Sequence, residues 1–120
     1  MTVPSPPPDR PAASDVMPPL DVSVIIPTFN NAPWLGQTID SALNQTLAPR
    51  EVIVVDDCST DDTARVLASF GDRVSAVRQP TNRGPGAARN AGIARARGAL
   101  VGFLDGDDTW HPTLLEKQVA

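Results

Sequence analysis

Seven of the fourteen carboxylates in this 120-residue sequence stand in two short runs: Asp56, Asp57, Asp61 and Asp62, then Asp105, Asp107 and Asp108. Two carboxylates about 4 Å apart repel by roughly 4 kcal/mol at an effective dielectric near 20. Such a cluster persists when it is protonated, solvated or holding a cation. Oxygen ligands spaced two apart, as Asp105 and Asp107 are, suit a hard ion such as Mg²⁺ or Mn²⁺, which takes one or two carboxylates and completes its shell with water and substrate phosphates. The competing reading is a solvated acidic turn. It is weakened because each run directly follows an apolar stretch and the second has Trp110 beside it. The other reactive side chains offer less. Cys58 is the only cysteine, so neither an internal disulfide nor a cysteine-ligated zinc or iron centre is expected. With no partner base in view it reads as a small turn residue. His111, the only histidine, precedes Pro112 at the start of a helix and reads as an exposed loop residue rather than a general base.

Repeated strand and helix signals must position these runs. Val22, Ser23, Val24, Ile25 and Ile26, closed by Pro27, form a β-branched stretch of the kind buried on both faces of a parallel sheet. Trp34, Leu35, Ile39, Ala42 and Leu43 recur at helical spacing, with Asn31 as the expected cap, Pro33 in the first turn and an end near Gln45. Trp34 and Phe70 are expected in the core. Residues 51–55 repeat the strand, and Ser59 or Thr60 is expected to cap a helix over about 61–70. Residues 74–78 read as a weaker third strand. Gly84, Pro85 and Gly86 then break the chain before an Ala-rich helix over about 87–97, stopped by Gly98. Arg95 and Arg97 read as a solvated helix end that complements the dipole. Residues 100–104 form the fourth strand, and Pro112 opens a last helix. This order predicts an α/β fold with a parallel sheet, whose ligands bind where loops leave the carboxyl ends of the strands. Both acidic runs lie on that edge.

Composition narrows the function further. Seven of the thirteen prolines fall within residues 1–20, which are expected to be a disordered leader, and residues 21–120 to hold one modest domain. The net charge of -4, with nine Arg and one Lys spread singly, gives no basic stripe able to track a phosphate backbone, so nucleic acid is not an expected partner. No stretch resembles a signal peptide, and no run approaches the roughly 20 apolar residues of a membrane span. The expectation is a soluble, cytoplasmic chain, with the inner face of the membrane left open for a full-length protein.

Five motifs in order carry a resemblance. They are Val24 to Asn30 (VIIPTFN), Ser41 to Thr46 (SALNQT), Val55 to Asp61 (VDDCSTD), Asn82 to Gly92 (NRGPGAARNAG) and Phe103 to Pro112 (FLDGDDTWHP). Together they resemble the start of a family 2 glycosyltransferase over essentially all of residues 21–120. The resemblance implies a Rossmann-like GT-A nucleotide-diphospho-sugar-binding fold, of which this chain would be the N-terminal part. It implies that Pro27 and Thr28 flank the nucleobase and that Asp57 accepts a hydrogen bond from the base imide N–H. A carboxylate there favours uracil or thymine over cytosine, whose N3 has no hydrogen to donate. Arg89 and Asn90 would shape the nucleotide pocket. Asp105 would lie near the ribose and the metal waters, with Asp107 the direct ligand of Mg²⁺ or Mn²⁺ on the donor diphosphate. Asp108 and Trp110 would orient the loop and wall the site. Cys58 departs from the Gly or Asn common at its position in the family.

The implied reaction is inverting transfer of a sugar from a nucleoside-diphosphate sugar, a UDP-sugar by the reading of Asp57, to a hydroxyl of a polysaccharide, lipid, protein or small molecule. A divalent ion would stabilise the leaving diphosphate. The family's catalytic base lies beyond the aspartate motif, so none is expected in this chain, and the isolated chain is expected to be inactive. A non-catalytic nucleotide-binding fragment is the main alternative. A haloacid-dehalogenase-type phosphatase would use Asp105 as nucleophile and Asp107 as general acid, but its motif follows the first core strand and here three strand and helix units come first. A dinucleotide-binding dehydrogenase fits worse, because Arg89 stands where its third glycine belongs.

Overall fold

Four β-branched stretches pair side by side in parallel, and the chain passes between them through helices. The computed structural model describes residues 20–119. The strands are β1 (Leu20–Thr28), β2 (Pro49–Asp56), β3 (Ser75–Arg78) and β4 (Leu100–Phe103). The helices are α1 (Ala32–Leu43), α2 (Thr63–Phe70), α3 (Pro85–Arg95) and α4 (Leu114–Val119). A short 3-10 turn (Gly71–Arg73) joins α2 to β3. The sheet order is β3-β2-β1-β4. Thr28 pairs with Asp56, Asp56 with Arg78, and Ile25 with Phe103. The carboxyl ends of the strands are thereby aligned on one edge. The expected leader lies outside the described residues except for Leu20, which opens β1.

The alternation of a strand divides the core in two. Val22, Val24, Ile26, Val52 and Val54 pack with Leu35, Ile39, Ala42, Leu67 and Phe70 from α1 and α2. Ile25, Ile53 and Val55 face the other way, onto Ala88 of α3. Full burial of each such side chain contributes about 1.5–3 kcal/mol, which is why the two inner strands read as unbroken apolar runs. α3 comes close to the sheet because Gly92 offers no side chain: an added Cβ would stand 2.5 Å from Cγ2 of Ile25. Among the described residues no helix is long and apolar enough to cross a membrane.

Several local expectations need correction. Trp34 is 52% exposed rather than core, whereas Phe70 is buried as expected. Trp34 stands one residue, about 100° around the helix, from fully buried Leu35 and so falls off the Leu35, Thr38, Ile39 and Ala42 stripe that packs inward. Asn31 holds the cap position of α1 without a capping side chain. Its Oδ1 turns back and accepts from Thr28 Oγ1 and the Phe29 N–H. α2 starts at Thr63, and neither Ser59 nor Thr60 caps it, because the Asp61 carboxylate takes the Thr63 N–H instead. α3 runs from Pro85 to Arg95, earlier at both ends than expected. It stops before Gly98 because the Arg97 N–H is drawn to Glu51 and the Gly98 N–H to Ser23 Oγ.

Candidate functional site

From central β1 the chain steps outward to β2 and β3, then returns to the opposite side as β4. The strand order therefore reverses between β1 and β4, and in open α/β sheets the crevice at such a point is where ligands bind. A cavity of about 350 Å³ opens there. Its wall is drawn from four separate segments. Pro27, Thr28, Phe29 and Asn31 follow β1, and Asp57 follows β2. Asn82, Gly84, Pro85, Ala88 and Arg89 come from the start of α3, and Asp105, Gly106 and Asp107 follow β4.

Three of the four carboxylates of the β2 loop, Asp56, Asp57 and Asp61, are occupied by the protein itself. Asp57 is buried, and its two oxygens accept the backbone N–H groups of Arg83 (2.9 Å) and Gly84 (2.8 Å). This fixes the turn into α3, where Gly84 takes a φ of 92° that an L side chain rarely adopts. Asp56 is also buried. It accepts the Ser59 N–H and forms an ion pair at 2.9 Å with Arg78. Directly after this pair Cys58 is held at a φ of 67°, in the left-handed region that non-glycine residues uncommonly adopt. Desolvation would raise the Asp61 carboxyl, but hydrogen bonds from the Thr63 hydroxyl and from the Ala32 and Thr63 N–H groups outweigh it and hold the group below the usual carboxylate range. Asp61 so joins the first turns of α1 and α2.

The β4 loop is built differently. The Gly106 N–H donates to the Pro27 carbonyl at 3.1 Å and the Asp108 N–H to the Asp105 carbonyl at 3.0 Å. Gly106 is pressed against β1, since an added Cβ would stand 2.5 Å from Thr28 Oγ1 and 2.8 Å from Thr28 Cβ. With the glycine seated, Asp105 and Asp107 project as exposed carboxylates on the cavity wall. Arg89 approaches Asp105 at 3.6 Å. Among the described residues no three His, Cys, Asp or Glu side chains converge as a metal cage. Two carboxylates with room beside them instead fit Mg²⁺ or Mn²⁺, which leave most of their shell to water and substrate phosphates.

Of the residues singled out from sequence, Pro27, Thr28, Asp57, Arg89, Asp105 and Asp107 share this one cavity wall. Three others lie off it. Asn90 is exposed on α3. Asp108 accepts the Thr109 N–H on its own Oδ1. Trp110 is half-buried against the α1 side of the core, with its ring edge 3.2 Å from where a Cβ on Gly102 would stand. His111 is exposed, in keeping with a loop residue. Sequence reasoning gave no role to Thr38 and Ser41 of α1 or to Gln45 just past its end, the last two quoted only within the SALNQT motif; all three hydrogen-bond the segment after Asp105. Their signal was present in the helical spacing: three polar side chains interleave with Leu35, Ile39 and Ala42.

The model of the family described as "Glycosyl transferase family 2" matches residues 23–120, and the chain belongs to that family. The succinoglycan biosynthesis protein ExoO of Rhizobium meliloti (strain 1021) is 44% identical over 111 residues, covering 92% of this chain and 31% of ExoO. The S. aureus TarS 1-349 structure in complex with UDP matches with a TM-score of 0.75 and 34% identity, over 82% of this chain and 30% of that one. The mannosyltransferase PcManGT from Pyrobaculum calidifontis, in complex with GDP-Man and Mn²⁺, matches with a TM-score of 0.68 and 33% identity, over 77% and 29% of the two chains. The fold is thus the expected GT-A type, and the chain spans under a third of the length of each of these three proteins.

Proposed function

We propose that this chain is the donor-binding part of a glycosyltransferase that moves a sugar from a nucleoside-diphosphate sugar, a UDP-sugar, to an acceptor hydroxyl with inversion. The observation that carries the reading is the shared cavity wall: a buried carboxylate, a guanidinium and two exposed carboxylates meet at the switch point of the sheet. Asp57 receives the base. Each of its oxygens takes one backbone N–H and keeps a further lone pair for an imide N–H. Pro27 and Thr28 bound the base on the β1 side, while Arg89 supplies a fixed positive charge with planar geometry suited to phosphate oxygens. Asp107, with Asp105, would hold Mg²⁺ or Mn²⁺; such an ion, when bound, stabilises charge on the leaving diphosphate as a Lewis acid. The base that deprotonates the acceptor is assigned to sequence beyond the aspartate motif.

The similarity to proteins solved with UDP and with GDP-Man leaves a choice of base, since the uracil imide N–H and the guanine ring amide N–H can both donate to Asp57. Calorimetric titration of the full-length protein with UDP and GDP, with and without Mn²⁺, tests it. The expected result is tighter UDP binding that depends on Mn²⁺ and loses that dependence in Asp107→Ala. Absence of metal-dependent heat at millimolar nucleotide, or an unaltered Asp107→Ala, would overturn the proposal.

A further inference from the structure

α1 carries an internal polar ridge that reaches the β4 loop from beneath. Thr38 is wholly buried, and its single hydroxyl hydrogen is shared among three carbonyls, that of Asp108 nearest at 2.5 Å, then Gly106 at 3.1 Å and Trp34 at 3.3 Å. One turn on, Ser41 Oγ accepts the Trp110 N–H at 3.1 Å. Two residues past the end of α1, buried Gln45 donates Nε2 to the His111 carbonyl at 2.8 Å and accepts the Leu115 N–H on Oε1 at 3.0 Å. The Thr46 N–H completes the row on the Pro112 carbonyl. Every side-chain hydrogen bond in this row is made to backbone, either of the loop or of α1 itself, so the ridge reads no loop side chain and fixes the path of the chain alone.

Burial of Thr38 and Gln45, with half-burial of Ser41, beside a stripe otherwise given to Leu35, Ile39 and Ala42 is unfavourable unless each polar group is satisfied. Each makes at least one hydrogen bond to the segment after Asp105, with further bonds to α1's own backbone. A hydrophobic α1 would pack the sheet as well but would leave the loop carbonyls and N–H groups at 106, 108, 110, 111 and 115 without these partners.

We propose that Thr38, Ser41 and Gln45 are positioning residues that set where Asp105 and Asp107 stand, with Thr38 the one that meets the backbone on both sides of Asp107. The inference rests on the proposed function for what the loop holds, but not for the claim that α1 holds the loop. Outer residues that orient metal ligands typically contribute 10–100-fold in metal affinity or activity.

The test pairs Thr38→Val, which keeps the shape and removes the hydroxyl, with Thr38→Ser, which keeps the hydroxyl, in the full-length protein. Amide exchange of the metal-free protein is read first. Thr38→Val should speed exchange across residues 104–111 by about 10-fold while β2 is unchanged; Thr38→Ser should restore protection. Mn²⁺-dependent UDP affinity should then fall about 10-fold in Thr38→Val and recover in Thr38→Ser. Should Thr38→Val fail to fold, Ser41→Ala carries the same expectation for residues 108–111. Equal protection in wild type and Thr38→Val, or a Thr38→Ser as impaired as Thr38→Val, would overturn the positioning role. A wild type that binds no UDP with Mn²⁺, while the exchange result holds, would defeat the proposed function and leave α1 as the support of the loop.

Discussion

Replacing Asp57 by Asn separates two roles that one carboxylate combines. In the folded chain both Asp57 oxygens accept backbone N–H groups, from Arg83 and from Gly84, in a buried position. An amide keeps one acceptor and turns an NH₂ toward the second N–H, so one charge-assisted hydrogen bond is lost and two donors face each other. A hydrogen bond to a charged group contributes about 1.5–3 kcal/mol. A domain of this size shifts by about 4–8 °C per kcal/mol, so the melting temperature should fall by roughly 6–24 °C. Urea unfolding gives the free energy directly, and amide exchange at residues 83 and 84 shows whether the turn into α3 opens. A stability within about 0.5 kcal/mol of wild type, the range of an ordinary surface substitution, would refute the idea that this carboxylate braces the turn. Nucleotide binding adds a second readout: UDP affinity should fall even where Asp57→Asn is fully folded.

Gly106→Ala should destabilise by about 1–3 kcal/mol through overpacking, because the new Cβ meets both Cβ and Oγ1 of Thr28. A double-mutant cycle in urea with Thr28→Ala checks this, and purely additive effects would refute the contact. Glu51 supplies a pH test at the opposite edge of the sheet. Burial would raise its carboxyl, but hydrogen bonds from the Ser23 hydroxyl and the Arg97 N–H, with the Arg97 guanidinium beside it, outweigh burial and lower it from 4.5. A lowered folded pKa means the stabilisation is present above the unfolded value and is lost as pH falls through the folded one. Glu51→Gln should therefore be less stable than wild type near pH 7, with the gap closing below about pH 4.5; a gap constant across urea melts from about pH 7 to 3 would refute the linkage.

Much of the fold was legible because its signals are local and strong. The apolar runs at residues 22–26 and 51–55 are buried on both faces, and no other element type suits a short β-branched stretch closed by Pro27 or by the Asp pair. Helix limits were less legible, since a cap is chosen by competition. Asp61 outbids Ser59 and Thr60 for the Thr63 N–H, and the Ser59 hydroxyl is then free to accept from Asn30. Which side chain wins depends on the neighbouring loop, and residue type alone does not record it. Trp34 shows the same limit: its spacing suits a core helix face, but the stripe that packs on the sheet is Leu35, Thr38, Ile39 and Ala42, and Trp34 stands off that stripe.

The site divides along the same line. Like-charge repulsion within the acidic runs suggested a cation for the whole group, and that reasoning treats every carboxylate as unpartnered. In the β2 loop the premise fails for Asp56, Asp57 and Asp61, three of its four carboxylates. Asp56 meets Arg78 and the Ser59 N–H, Asp57 meets two N–H groups, and Asp61 meets Thr63 and Ala32, so their charge is already balanced by donors within the fold. In the β4 loop it largely holds, because the backbone around Gly106 is satisfied by Pro27 and Thr38 without drawing on the carboxylates of Asp105 or Asp107. Asp105 meets only the more distant guanidinium of Arg89, a group that could equally turn to a diphosphate. The α1 ridge therefore has a chemical consequence: by taking up the loop's backbone groups, it leaves the two carboxylates available for a ligand.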